Sequence, residues 1–330
     1  PGYYSLKSSS DPVSATSSLK QKRVNSIYGK ASVSWNSTYY LDITGRNDWS
    51  STLRSDERSY FYPSVAGSVI LSEILPLPSW WNFLKVRGSW TTTKQDADIY
   101  ANNNVYEVTT NVWDGLSTAS YPEALIGGGI VLPQKSETWE AGLAQTFLQK
   151  RLNIDFAYYH KLESDFIING GVSESTGYKS IQTNSKEQRL RTGVELVVGG
   201  TPIQTKDFNW HILTNWSHDN YTYHKLDPDY STKRPWIKEG ADWDWIAIND
   251  WERDPDGNIV HNGGIPVRQT FQKKVGKYVP DLVWGITNTL RYKNWTLSFT
   301  FDGRVGGISY SKTHQMLWNS GTHVDSDNQF

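Results

Sequence analysis

The sequence predicts an all-β protein: an antiparallel transmembrane β-barrel, of which this chain supplies about ten strands. Three observations predict it. Apolar and polar residues alternate with period two over long stretches. The connections between those stretches alternate between short and long. Large aromatics gather on the apolar side near the stretch ends, at Trp35, Trp139, Trp210, Trp216, Trp284 and Trp295.

The alternation comes first, because it sets the strand count. Leu41 and Ile43 oppose Asp42, Thr44 and Arg46. Leu84, Val86 and Trp90 oppose Lys85, Arg87 and Ser89. Leu152, Ile154, Phe156 and Tyr158 oppose Asn153, Asp155 and Tyr159. Trp210, Ile212 and Trp216 oppose His211 and Asn215, and Leu297, Phe299 and Phe301 oppose Ser298, Thr300 and Asp302. Weaker patterns cover 25–35, 63–72, 138–147, 189–199 and 283–291. Most stretches are about 9–11 residues, the length a tilted strand needs to cross a bilayer; strands of soluble proteins are usually nearer 5–6. Leu41, Ile43, Ile154, Phe156, Trp210, Ile212, Leu297 and Phe299 are therefore expected to face outer-membrane lipid. Asp42, Arg46, Lys85, Arg87, Asp155, Arg191, Glu195, His211 and Asp302 are expected on the other side.

The connections come next. Residues 36–38, 148–151, 200–207 and 292–294 are short links, and 73–82 is intermediate. Long loops are predicted at about 47–62, 94–137, 161–188 and 218–282. Short and long alternate along the chain, as in a barrel with short periplasmic turns and longer extracellular loops. A sandwich has no reason to put every long loop on one side.

Composition agrees. The mean hydropathy is -0.59, yet Trp 16, Tyr 19 and Phe 10 make up 14% of the 330 residues. Amphipathic rings in a polar chain suit a sugar-binding surface or a membrane interface. No run approaches the ~20 apolar residues of a membrane helix. Lys+Arg 33 against Asp+Glu 34 leaves a net charge of -1, which offers nucleic acid no basic stripe. Without cysteine there is no disulfide, zinc cluster or thiol nucleophile. The chain opens Pro1-Gly2-Tyr3, with no Met and no basic-then-apolar leader, and is expected to be a portion of a longer protein.

The loop at 218–282 is rich in indoles and carboxylates. Trp236, Trp243, Trp245 and Trp251 with Asp242 and Asp244 are candidates for contact with a substrate or a covering partner. An indole stacks on the apolar face of a pyranose while carboxylates accept from its hydroxyls. The competing reading is that these side chains pack a large loop into its own small core. Asp254-Pro255-Asp256-Gly257-Asn258 resembles the start of a calcium loop, with Asp254, Asp256 and Asn258 as oxygen ligands. No bidentate Glu follows at the required spacing, and an Asp-Gly turn accounts for the same residues. Glu239, Asp242 and Asp244 imitate a glycosidase carboxylate pair, but nothing marks a raised pKa, so no enzyme is expected. The histidines show no metalloprotease spacing. Gly127-Gly128-Gly129 does not lead from a strand into a helix and is no phosphate cradle. No cofactor is expected.

Specific runs carry a resemblance. Ser26 to Val33, Gly45-Arg46-Asn47-Asp48-Trp49-Ser50-Ser51-Thr52-Leu53, Tyr60 to Val65 and Lys85 to Ser89 resemble the SusC/RagA-type TonB-linked outer-membrane proteins. So do Glu137 to Leu143, Gly193 to Leu196 with Gly200 to Ile203, Pro280 to Thr289, and Arg304 to Gly307. The resemblance spans essentially the whole chain, in order. It implies part of a large barrel plugged in its lumen, of the kind with about 22 strands. It further implies import of an oligosaccharide or a peptide across the outer membrane of Bacteroidetes. The implied partners are a SusD-like surface lipoprotein that caps the barrel and TonB, reached through segments that this chain does not carry. Dimers of the two-subunit unit are also implied. The plug has no counterpart in residues 1–330, and 319–330 reads as a polar loop ending in Phe330 without an alternating strand before it.

Two other functions compete. A soluble carbohydrate-binding or carbohydrate-active β-sandwich would bury the apolar sides between two sheets. A passive porin or adhesin barrel would conduct without TonB.

Overall fold

The computed structural model describes residues 19–101 and 131–326, with 107–108, 114, 116, 118–120 and 124–126 between them. Gly127 to Gly129 and Phe330 lie outside the described residues. Ten strands form one sheet. They are β1 (Val24–Trp35), β2 (Tyr39–Ser50), β3 (Ser59–Ile70), β4 (Trp81–Gln95) and β5 (Gln134–Phe147), then β6 (Leu152–Ser164), β7 (Gln188–Gln204), β8 (Phe208–Lys225), β9 (Leu282–Tyr292) and β10 (Trp295–Val305). Spatial order follows chain order, and every pairing is antiparallel, so the sheet is one up-and-down meander.

Register fixes which residues share a face, because directly paired residues point the same way. One row reads Leu143, Phe156, Leu196, Trp216, Trp284 across β5 to β9. Another reads Val33, Leu41, Gly67, Gly88, Ala141 across β1 to β5. Leu41, Ile43, Ile154, Phe156, Trp210, Ile212, Leu297 and Phe299 all fall on this one face. The opposite face carries Asp42, Arg46, Arg87, Asp155, Arg191, Glu195 and His211.

The apolar face has no second layer over it among the described residues. Leu297 and Phe301 are each 61% exposed and Trp295 is 80% exposed. This overturns the soluble-sandwich alternative, which required these side chains to be sealed between two sheets. A bare apolar face of this extent would aggregate in water and is at home in hydrocarbon. Among the described residues the cluster of buried apolar side chains, Leu53, Tyr60 and Ala97, lies instead at the loop end. No described helix is long and apolar enough to cross a membrane, and crossing by strands needs none.

Aromatics mark two levels on that face. Trp81 and Trp90 on β4, Phe147 and Trp139 on β5, Phe208 and Trp216 on β8, and Tyr292 and Trp284 on β9 repeat every eight or nine residues. At about 3.3 Å per residue this is about 26–30 Å along the strand. At a 35–45° tilt the height is about 19–24 Å, close to the ~25 Å apolar band flanked by aromatic girdles in outer-membrane barrels. Stacking reinforces both levels: Trp80, Trp81 and Phe147 lie within 5.7–6.2 Å of each other at the turn end, and Trp90 and Trp139 lie 6.0 Å apart above.

The structure lengthens the predicted strands. They run from 11 residues (β9, β10), the top of the expected 9–11, to 18 (β8), well beyond it. The predicted loops shrink accordingly, 47–62 to 51–58, 94–137 to 96–133, 161–188 to 165–187 and 218–282 to 226–281. The physical reason lies in the sequence of the upper halves. There the apolar-side positions carry Glu137, His160, Asn220 and Thr222, which hides the alternation although the hydrogen-bonded ladder continues. The short link predicted at 200–207 tightens to 205–207, since β7 continues through a bulge at 200–203. After β10 the chain forms a helix, α1 (Lys312–Asn319), which the period-two pattern does not contain. Ser311 caps it by accepting from His314 N at 3.2 Å.

Two tight turns use left-handed residues that are not glycine. Asn36 and Ser37 have φ of 52° and 54°, and Leu148, Gln149 and Lys150 have 54°, 57° and 68°. The second turn is held by its neighbours: Leu148 N donates to Trp80 O at 2.7 Å and Lys150 N to Asn82 Oδ1 at 3.2 Å. The sheet's outer strands, β1 and β10, have no further partner among the described residues.

Candidate functional site

All long connections leave the same end of the sheet, so the polar face and the loops above it form a single polar wall with a mouth. Three clusters hold the wall. On β2, Arg46 Nε donates to Asp48 Oδ1 at 2.8 Å and its terminal nitrogen to Ser26 Oγ at 2.9 Å. Tyr62 on β3 donates to the other Asp48 oxygen at 2.7 Å. Further along the same run, Ser50 and Thr52 both donate to Asp96, just past β4, which Lys22 also meets at 2.7 Å. Burial pushes the Asp96 carboxyl up, but Lys22, Ser50 and Thr52 outweigh it and hold the group below the usual carboxylate range. The Gly45 to Leu53 run therefore ties the tops of β2, β3 and β4 together.

The second cluster crosses β5. Arg87 on β4 reaches Asp155 on β6 with two parallel bonds, 2.9 and 2.8 Å. The strand between contributes Gly142, where a Cβ would lie 2.6 Å from the guanidinium. The third crosses β7 in the same manner. Tyr159, Gly193 and Asp219 form one cross-strand row, and the tyrosine hydroxyl donates to Asp219 over the glycine. Arg191 donates to the other Asp219 oxygen at 2.7 Å and lies over the rings of Tyr159 and Tyr221, 5.4 and 5.2 Å from their centres.

Above this lies the mouth. Arg189 sits over Phe166 at 4.9 Å and Trp243 at 5.0 Å, and pairs with Glu187 at 2.8 Å. Trp243 meets Tyr221 edge-on at 5.1 Å and Tyr278 at 6.1 Å. Asp242 pairs with Lys277 at 2.8 Å, and this hydrogen bond raises the lysine pKa. Asp244 is 3% exposed, and burial pushes its carboxyl up against the pull of Lys277. Trp245 lies under Lys274 at 4.2 Å and Lys277 at 5.8 Å. The structure thus brings Trp245, Asp242 and Asp244 together around Lys277, with Trp243 nearby against Arg189, Tyr221 and Tyr278. Trp251 stands apart against Arg268 at 5.4 Å, and Trp236 against Arg234 at 5.8 Å.

Asp227 anchors two loops. Its Oδ2 accepts from Ser185 at 3.0 Å and Lys186 N at 2.7 Å, and its Oδ1 from Asp229 N at 2.9 Å and Tyr230 N at 3.2 Å. Burial pushes this carboxyl up, but the backbone donors and Ser185 prevail and hold it low. Tyr230 then packs on Gly170, where a Cβ would occupy the ring's place.

The Asp254 turn is closed on itself. Asp254 Oδ1 accepts from Asp256 N at 3.0 Å and Asn258 N at 2.8 Å, and Oδ2 from the Asn258 amide at 3.1 Å. Gly257 takes the left-handed φ of 90° that the turn needs. Both Asp254 oxygens are engaged by the turn, and among the described residues no three His, Asp or Glu are placed to hold a metal ion.

Residues 2–330 match the family described as TonB dependent receptor-like, beta-barrel. The chain belongs to this family. It is 23% identical to the TonB-dependent receptor P3 of Formosa agariphila over 98% of this chain and 36% of that protein. It is 26% identical to the TonB-dependent receptor SusC of Bacteroides thetaiotaomicron over 86% of this chain and 31% of that one. Among solved structures it resembles the RagAB peptide transporter, with a TM-score of 0.70 at 20% identity, over 86% of this chain and 34% of that chain. The open-open state of the RagAB peptide importer gives 0.72 at 20% identity, over 87% and 33%. The chain spans about one third of the length of the curated relatives it matches.

As a TonB-dependent receptor barrel the protein belongs to the outer membrane, in a family of receptors and not of enzymes. Sequence reasoning placed Arg191 on the polar side but missed its partners Tyr159, Asp219 and Tyr221. Only the register of β6, β7 and β8 brings these together, and no local spacing encodes it. Nor did it single out Asp227 among the carboxylates of the 218–282 loop, because its donors Ser185 and Lys186 come from another loop.

Proposed function

We propose that this chain forms part of the wall and mouth of a TonB-energised importer that takes up a nutrient, an oligosaccharide, beneath a SusD-like surface lipoprotein. The observation that supports this reading is sidedness. Every long loop leaves one end of the sheet, and the loops at 165–187 and 226–281 pack there with β7 and β8 into an arginine-aromatic mouth. Leu41, Ile43, Ile154, Phe156, Trp210, Ile212, Leu297 and Phe299 are the lipid-facing set. The polar face lines the lumen, where the plug of the full-length protein sits. Two bare sheet edges are untenable in hydrocarbon, so further strands close the barrel.

Trp243, Trp245, Asp242 and Asp244 shape the mouth from within, engaged with Lys277, Arg189 and Tyr278. Trp236 and Trp251 are the indoles that meet the lid or the sugar. A peptide substrate is the second reading, favoured by the RagAB likeness in fold. The experiment is uptake by cells carrying the full-length protein. Removal of TonB abolishes uptake, which separates the importer from a passive porin. Deletion of 230–256 abolishes capture of the lipoprotein. Unchanged uptake without TonB sinks the importer reading, and unchanged capture after the deletion sinks the loop assignment.

A further inference from the structure

We propose that the outer rim of β1 to β3 carries a site for the phosphate of an outer-leaflet lipid headgroup, built on Arg23 and Arg58 around Trp49. A cavity of about 390 Å³ lies there, lined by Arg23, Asn25, Trp49, Ser50, Ser51 and Arg58. Its floor belongs to the apolar face. Trp49 pairs with Asn25 and Ser59, in step with Leu41 and Ile43 further down β2. Trp49 is ten residues from Tyr39 at the turn end, or about 33 Å along the strand. At the usual tilt that is about 25 Å of height, the upper edge of the apolar band. Beneath it on the same face lie Ile27 and Phe61, 69% and 54% exposed. Acyl chain below, indole at the interface and guanidinium above is the order in which a phospholipid-like molecule presents its own parts.

The charge is unspent. Arg46, Arg54, Arg87, Arg189 and Arg191 each hold a carboxylate. Arg23 and Arg58 hold none among the described residues. The nearby Asp96 is already taken by Lys22, Ser50 and Thr52. An adjoining cavity of about 750 Å³ shares Arg23 and Ser51 and adds Lys20 to the basic surface. Guanidinium forks match phosphate oxygens in pairs, and such bonds strengthen at the edge of a low-dielectric medium. Trp49 and Asn25 turn the cavity towards the apolar face at the rim, so the ligand it fits is a membrane lipid and not the cargo.

The inference rests on the lipid-facing reading of that face, and the test keeps the two apart. The full-length protein, in nanodiscs, is titrated with lipid A, with its dephosphorylated form and with inorganic phosphate, and bound lipid is counted by native mass spectrometry. A lipid-exposure label at Leu297 reports the face independently. Lipid A binds, and its dephosphorylated form and inorganic phosphate do not compete. Arg23→Gln with Arg58→Gln weakens binding about tenfold, as expected for loss of two charged donors. Asn25→Asp, which adds a carboxylate to the same cavity, weakens it as well, while Arg54→Gln does not. Equal binding by the double variant, or by the dephosphorylated lipid, overturns the site even if Leu297 reports lipid. Tight binding of inorganic phosphate alone overturns the lipid assignment.

Discussion

Arg87 and Asp155 are paired across an intervening strand, at 2.9 and 2.8 Å, because the residue between them is Gly142. A side chain at that position would stand where the guanidinium lies. Both partners are about a third to a half exposed, so the pair contributes about 0.5–1 kcal/mol after solvent screening. Gly142→Ala should push the arginine off the wall. A double-mutant cycle on Arg87→Ala and Asp155→Ala, read from urea midpoints in vesicles, should show this coupling in the wild type and lose it in the Gly142→Ala background. A coupling unchanged by the alanine would mean that the arginine reaches its partner by another route.

The loop layer should be separable from the sheet. Tyr230 rests on Gly170, which joins the loop at 165–187 to the one at 226–281. Gly170→Ala should speed proteolysis in both loops while leaving the heat-modifiable barrel band intact. Adding Tyr230→Ala removes the clash and should recover part of the resistance. Protection that never changes would show that the two loops do not depend on this contact.

The division between wall and loops also explains what was legible in the sequence. The apolar side taken by Trp216 and Trp284 could be read from alternation alone, since each strand declares its own apolar side. The Tyr159, Gly193 and Asp219 row could not, because it depends on the register of three strands separated by tens of residues in the chain. The upper ends of β5 and β8 were hidden by polar residues on both faces, as at Glu137 and Asn220. Helix α1 was hidden because its short span, Lys312–Asn319, is polar and fully outside the strand pattern. In the mouth the indoles were visible, but not the cations that cover them, because Arg189 comes from β7 and Lys277 from the far end of the same loop, more than thirty residues on.

Acid should loosen the loops through Asp227. Its folded pKa is held low by four donors, so its contribution is fully present above the unfolded value of about 3.9 and is lost as pH falls towards the folded one. Hydrogen-exchange protection of 226–244, taken relative to the intrinsic exchange rate at each pH, should therefore be flat from pH 7 to 5 and fall below about pH 4. Asp227→Asn turns an amide donor towards existing donors and should cost about 1–3 kcal/mol at pH 7. Its protection should be low already at neutral pH and show less response to acid. A variant that matches the wild type at every pH would remove Asp227 as the anchor.

The two sides of β10 offer the sharpest contrast, because Leu297 and Ser298 are adjacent in sequence and opposite in environment. Leu297 shares its row with Leu290 and Trp210, while Ser298 bonds to Thr289 at 3.2 Å on the polar side. Arginine at a lipid-facing position costs about 2–4 kcal/mol at the bilayer midplane, less towards the interfaces. A long cation on the lumen side can stay in water. Leu297→Arg should lower the folded fraction in vesicles, whereas Ser298→Arg should leave it within about 1 kcal/mol of the wild type. Thicker bilayers should deepen the first effect and not the second, since only the first side chain must snorkel to reach headgroups. Equal penalties for the two would mean that both faces meet the same medium, which a membrane-spanning sheet with one apolar face does not allow.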